Sequence, residues 1–246
     1  MTVKTVGLFV SLVAYWLSFS SAQAIMIDPF ENGSLEVGVN AGSPPQIQTD
    51  GSAVTEALGG SRELQAYASS LIDPTNYPSY YILGQSCGAC TPHVYYHAQL
   101  NVIGDTKVHW DGVNEAVLKP AGLGGVDLTD GGASTGFEIK VDYLAAGLNL
   151  ALQVWDNGST ASASLSSLLL GTNFVPFADF TGTVNWASID AIQMVISYPA
   201  AAVGQAYIAE IDYIRTNSSV PEPATLALFG LGLAGIGAVW RRRTIN

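Results

Sequence analysis

Between residues 136 and 156 the chain alternates. Phe137, Ile139, Val141 and Tyr143 are separated by Glu138, Lys140 and Asp142, and after the turn Ala145-Ala146-Gly147 the apolar set resumes at Leu148, Leu150, Leu152 and Val154. Successive side chains of a strand point to opposite faces, so a period of two predicts half-buried strands. Similar runs predict strands at 63–68, 93–103, 106–110, 192–198 and 206–215. Asp111-Gly112, Gly122-Leu123-Gly124-Gly125, Asp130-Gly131-Gly132 and Asp156-Asn157-Gly158 read as turns between them, and so does Thr49-Asp50-Gly51-Ser52. Many short strands and no long amphipathic helix predict an all-β domain, a β-sandwich of the jelly-roll kind. No repeat of fixed period runs through it.

Composition then narrows the partners. Residues 25–219 carry five cations (Arg62, Lys107, Lys119, Lys140, Arg215) against 19 acids, a net charge of −14. Nucleic acid is excluded as a partner, because phosphate binding is built on lysine and arginine. Divalent cations, or solubility outside a cell, suit such a surface better. The length of this part suits one domain with a sizeable core.

Both chain ends carry addresses. Lys4, an apolar stretch over 6–19 and the small-x-small site Ala22-Gln23-Ala24 predict a signal peptide over 1–24, removed after Ala24. At the other end, Pro221-Glu222-Pro223 closes a linker over 217–223. An uncharged apolar run of 17 residues, 224–240, follows, and Arg241-Arg242-Arg243 opens the tail 241–246. A helix over the run reaches about 25 Å, the short end of one bilayer crossing. Such a helix closes its own backbone hydrogen bonds in lipid. The arginines behind it predict a cytoplasmic C-terminus at the inner membrane, with the body outside.

The tripeptide, the glycine-rich apolar run and the arginine cluster, in that order, resemble the PEP-CTERM sorting signal of Gram-negative bacteria. That resemblance implies recognition by an exosortase-type membrane protease acting near Pro221-Glu222-Pro223, with delivery to the cell surface or extracellular matrix. A plain tail anchor explains the run and the arginines but not the tripeptide. Gly230-Leu231-Gly232-Leu233-Ala234-Gly235 imitates a dinucleotide fingerprint, yet no acid follows it and the chain has only 11 residues left. Small residues there suit helix packing in lipid instead.

A second resemblance covers the two ends of the body. Ile27-Asp28-Pro29-Phe30-Glu31-Asn32-Gly33 and Ala209-Glu210-Ile211-Asp212-Tyr213-Ile214 look like the opening and closing strands of galactose-binding-like jelly rolls, the fold of many carbohydrate-binding modules. It implies first and last strands side by side, and a structural calcium with Glu31 and Asp212 as ligands and Asp50 as a contributor. Pro29 stands where relatives often carry another acid. It also implies an extracellular polysaccharide as ligand, for which Trp155 and Trp110 are stacking candidates. Trp155 falls on the face of its strand opposite Leu150, Leu152 and Val154.

Cys87 and Cys90 lie close to His93 and His97. A disulfide fits an exported chain, and so small a loop makes it a weak staple. Zinc on all four residues needs a bend, because a strand separates His93 from His97 by about 13 Å. Free thiols are the third possibility. Gly84-Gln85-Ser86-Cys87-Gly88 matches a nucleophile elbow, but Pro92 and a strand-like run stand where that motif needs a helix. Nothing pairs a base with a nucleophile, so no enzyme is expected. The reading is an exported, membrane-tethered and exosortase-processed protein whose β-sandwich, 25–216, is a structural or binding domain. A carbohydrate-binding module is the alternative, and a glycoside hydrolase a third.

Overall fold

The structure is a computed structural model, and it describes residues 23–31, 35–39, 46–71, 79–83, 94–98, 102–115, 117–144, 148–166, 168–197 and 207–217. Residues 24–217 form one compact unit. Residues 1–22 of the expected signal peptide, Pro221-Glu222-Pro223, the apolar run and the terminal arginines lie outside the described residues, as do Cys87, Cys90 and His93. Among the described residues no helix is long and apolar enough to cross a membrane.

Among the described residues fourteen strands follow one another: β1 (Met26–Asp28), β2 (Leu35–Val39), β3 (Gln46–Ala53), β4 (Ser61–Leu71), β5 (Ser79–Leu83), β6 (Val94–Ala98), β7 (Val102–Trp110), β8 (Gly136–Leu144), β9 (Asn149–Asp156), β10 (Ser159–Leu165), β11 (Gly171–Pro176), β12 (Thr181–Gly182), β13 (Ala191–Ser197) and β14 (Tyr207–Thr216). The helical content among the described residues is two single 3-10 turns, Leu58–Gly60 and Phe177–Asp179. The first sheet runs β11-β8-β14-β6-β5-β2 with β1 beside β14, and the second runs β12-β10-β9-β13-β7-β4-β3. Every pairing is antiparallel. Both sheets give their apolar sets to one core. Phe137, Ile139, Val141, Ile211 and Ile214 come from the first; Leu64, Val108, Leu150, Leu152, Val154, Ile192, Met194 and Ile196 come from the second. The chain is an all-β sandwich, as the alternation predicts.

The alternating stretches 137–143 and 150–154 are strands with Phe137, Ile139, Val141, Leu150, Leu152 and Val154 buried, but Tyr143 is exposed; the stretch expected as one strand over 93–103 is divided between β6 and the start of β7, and Asp156-Asn157-Gly158 is the expected turn. Asn157 (φ 43°) and Gly158 (φ 84°) both lie in the left-handed region, the geometry of a two-residue hairpin between β9 and β10. Thr49-Asp50-Gly51-Ser52 is not a turn. All four lie inside β3, where Asp50 pairs with Leu64 and Gly51 with Glu63. β3 is the edge of its sheet among the described residues, and ladder pairing over eight residues overrides a local Asp-Gly preference.

The first strand pairs with the last, Met26 opposite Arg215 and Asp28 opposite Ile214. The C-terminal end of the sandwich is closed by Thr216 N donating to Ile25 O (2.9 Å) and Asn217 N to Gly136 O (2.9 Å). Asn217 also accepts from Thr135 N through its side chain (2.8 Å).

Candidate functional site

Three side-chain groups are built on this frame. The first lies between the sheets. Asp28 ends β1 and is fully buried. Its Oδ2 accepts from Arg62 Nε (2.6 Å) and Trp110 Nε1 (2.8 Å). Its Oδ1 accepts from Arg62 Nη2 (2.6 Å) and Phe30 N (2.8 Å). Arg62 and Trp110 belong to the second sheet, so one carboxylate ties the two sheets together. The Arg62 guanidinium also stands 4.9 Å from the Phe30 ring centroid, an arrangement that favours the cation. Trp110 is fully buried here. It cannot stack on a ligand: its indole N–H is spent on Asp28, the partner a buried tryptophan needs.

The second group lies on the outer face of the second sheet. Glu63 of β4 stands opposite His109 of β7, which stands opposite Gln193 of β13. All three are buried. Gln193 Nε2 donates to His109 Nε2 (2.8 Å), which leaves the ring proton on Nδ1, 3.9 Å from Glu63 Oε2. Glu63 Oε1 accepts from Glu115 N, while Glu63 Oε2 is buried without a hydrogen-bond partner. Burial, aided by the charges of Asp111 and Glu115, pushes the Glu63 carboxyl up to about 7. Burial, aided by Lys107, pushes His109 down to about 4. The neighbouring chain is held over this face by Asp111, which accepts from Val113 N (3.0 Å) and Lys119 N (2.5 Å).

The third group lies on the first sheet. Glu138 Oε1 accepts from Tyr213 Oη (2.6 Å), Arg215 Nε (3.0 Å) and Arg215 Nη2 (2.5 Å). Lys140 Nζ pairs with Asp212 Oδ2 (2.7 Å) and Asp142 Oδ1 (3.3 Å). Phe174 of β11 is among the exposed large apolar side chains.

Against these groups the sequence-expected site residues fall as follows. Glu31 lies beyond the end of β1, past the positive-φ residue Phe30, and is exposed. Asp212 is engaged by Lys140, and Asp50 belongs to the other sheet. Among the described residues no group of three or more His, Cys, Asp or Glu is placed to hold a metal ion. Trp155 is half-buried on β9, while Leu150, Leu152 and Val154 are buried in the core. Residue 97 lies in β6, and the rest of the cysteine and histidine group lies outside the described residues. Asp28, Arg62, Glu63 and His109 are the groups that sequence reasoning missed as partners.

The matched signal begins just past the last described residue. Residues 219–243 match the family model of the PEP-CTERM protein-sorting motif. The match spans the tripeptide, the apolar run and the arginines, and it supports an exported surface protein processed by an exosortase. No curated protein matches the chain.

Proposed function

We propose that this chain is an exported precursor, held in the inner membrane by 224–240, whose β-sandwich is transferred to the cell surface or extracellular matrix after an exosortase-type protease acts at Pro221-Glu222-Pro223. The sandwich is a non-enzymatic structural or binding domain of galactose-binding-like, jelly-roll type. The observation that carries the reading is the sorting motif at 219–243. The β1–β14 pairing and the use of the buried charged network to join the two sheets agree with it. In the native host, Glu222→Ala is expected to leave the full-length precursor in the membrane fraction on an immunoblot. Unchanged maturation, or a tagged body recovered from the cytoplasm, overturns the reading.

One observation favours a polysaccharide ligand as the second reading. Phe174 is 45% exposed, and Tyr213 lies between the cations of Arg215 and Lys140, 4.7 and 6.0 Å from its ring centroid. Aromatic faces beside charged and hydroxyl groups suit sugar rings. Binding on a glycan array that Phe174→Ala abolishes supports this reading, and a blank array removes it. Calcium held by Glu31 and Asp212 is tested separately, by melting with excess calcium and with chelator. A bound ion raises the melting temperature.

A further inference from the structure

At the end of β14 the last residues of the sandwich are held on both sides. Thr216 N donates to Ile25 O (2.9 Å), and Thr216 Oγ1 accepts from Ile25 N (2.9 Å) and Ser134 Oγ (3.3 Å). Asn217 N donates to Gly136 O (2.9 Å), and the Asn217 side chain accepts from Thr135 N (2.8 Å) and donates to Thr135 Oγ1 (3.2 Å). Thr135 is fixed in turn, because its carbonyl accepts from Phe177 N (2.8 Å). It is exposed, as is the neighbouring Gly131-Gly132 turn. Gly132 N and Ser134 N close that turn by donating to Thr129 O (2.9 and 2.8 Å). The hydrogen-bonded frame thus holds the chain as far as Asn217, and three residues, Ser218-Ser219-Val220, separate it from Pro221. Whatever their conformation, that much chain reaches about 14 Å at most.

We propose that the exposed rim around Thr135 is a contact surface for the exosortase-type protease, which seats the folded body there while it works at Pro221-Glu222-Pro223. The inference rests on the sorting reading and adds a surface of the sandwich to the recognised tripeptide. Its basis is reach. A protease that takes an extended segment into its cleft holds it like an added strand, at about 3.3 Å per residue. Three residues then span about 10 Å. The cleft takes them up entirely, and its wall meets the rim where Asn217 is clipped. Thr135 offers a hydroxyl there and Gly131-Gly132 bare backbone, so the partner approaches closely without stripping water from a charge. The rim is also shaped in advance. The bonds to Thr135 and Thr129 stand before any partner arrives, which keeps the ordering cost of contact low.

Release of the body from the full chain in the native host, followed by immunoblot after a pulse of synthesis, tests it. Thr135→Arg sets a long side chain on the rim and is expected to slow release several-fold. Thr135→Ser keeps the hydroxyl and should run at the wild-type rate. Inserting about ten Gly and Ser residues between Ser219 and Val220 adds roughly 17 Å of reach. In the inserted chain Thr135 and Thr135→Arg should be processed alike, because the rim no longer meets the enzyme. Val117→Arg, at a residue 67% exposed elsewhere on the body, should leave the rate unchanged. Glu222→Ala, run alongside, tests the sorting reading separately: if it blocks release while Thr135→Arg does not, the contact alone falls. Release of Thr135→Arg at the wild-type rate, slowing that persists after the insertion, or equal slowing by Val117→Arg overturns the proposal.

Discussion

Arg62 and Glu63 are neighbours in the chain, and so are His109 and Trp110, yet β4 and β7 turn the two members of each couple to opposite faces of one sheet. Inward, Arg62 and Trp110 meet Asp28, whose two oxygens receive four donors. Outward, Glu63 meets His109, and one of its oxygens receives none. Both carboxylates are buried. The difference is donor supply, not burial. A buried charge holds where donors converge on it, and where they do not the group moves its pKa instead. The inner cluster therefore joins sheets, while the outer one holds a carboxyl that titrates near neutrality.

Removing the acceptor from the inner cluster should have the largest effect. Asp28→Ala leaves a buried guanidinium and an indole N–H without their partner, and breaking a buried pair on one side costs about 3–5 kcal/mol. The urea midpoint should fall accordingly. Replacing both charges together, Asp28→Leu with Arg62→Met, should recover the part of that loss due to the unpaired guanidinium, while Trp110 Nε1 and Phe30 N stay without an acceptor. A single variant as stable as wild type would show that the sheets are not joined through this carboxylate.

The outer cluster should respond to pH, and its two groups pull in opposite directions. Glu63 has a folded pKa raised from 4.5 to about 7. The fold bears no penalty below pH 4.5, loses stability as pH rises through 7, and bears the full cost above it, about 3 kcal/mol at most. Glu63→Gln should thus gain stability relative to wild type between pH 5 and pH 8. His109 has a folded pKa lowered from 6.5 to about 4. Its contribution is present above pH 6.5 and is lost as pH falls toward 4, by about 2–3 kcal/mol. His109→Gln should flatten that acid limb. Across the overlap the two slopes cancel in wild type, so chemical denaturation from pH 4.5 to 6.5 should show a plateau that each single variant tilts the opposite way. Two parallel, untilted profiles would place both groups at their ordinary pKa values.

The sandwich was legible because its signal is periodic. Phe137, Ile139 and Val141, like Leu150, Leu152 and Val154, name their own inner face. The inner cluster was hidden by a boundary. The alternation near residue 63 predicts a strand starting there, but β4 begins at Ser61, and the two extra residues place Arg62 on the same face as Leu64. An arginine on an inner face demands a buried carboxylate, and that demand is readable once the strand is drawn long enough. Asp28 was visible only as part of an opening motif, because its partners stand 34 and 82 residues away. Asp50-Gly51 misled for the opposite reason: its local chemistry is that of a turn, and only pairing with β4 makes it strand.

The half-exposed cluster on the first sheet completes the contrast and should show the smallest effect. Glu138 Oε1 is reached by Tyr213 Oη and by two nitrogens of Arg215, so Tyr213→Phe removes one donor of three and leaves the ion pair standing. Solvent screens what remains, and exposed pairs contribute about 0.2–1 kcal/mol. The expected loss is below about 1 kcal/mol, shrinking further in high salt as the charges are screened. Burial first, and the bond to Glu138 second, raise the Tyr213 phenol above its usual pKa, so the variant should also delete a late-ionising tyrosine from an alkaline absorbance titration. A loss as large as that of Asp28→Ala would mean that donor count does not separate the two clusters, and the distinction between the sandwich's inner and outer charges would have to rest on something else.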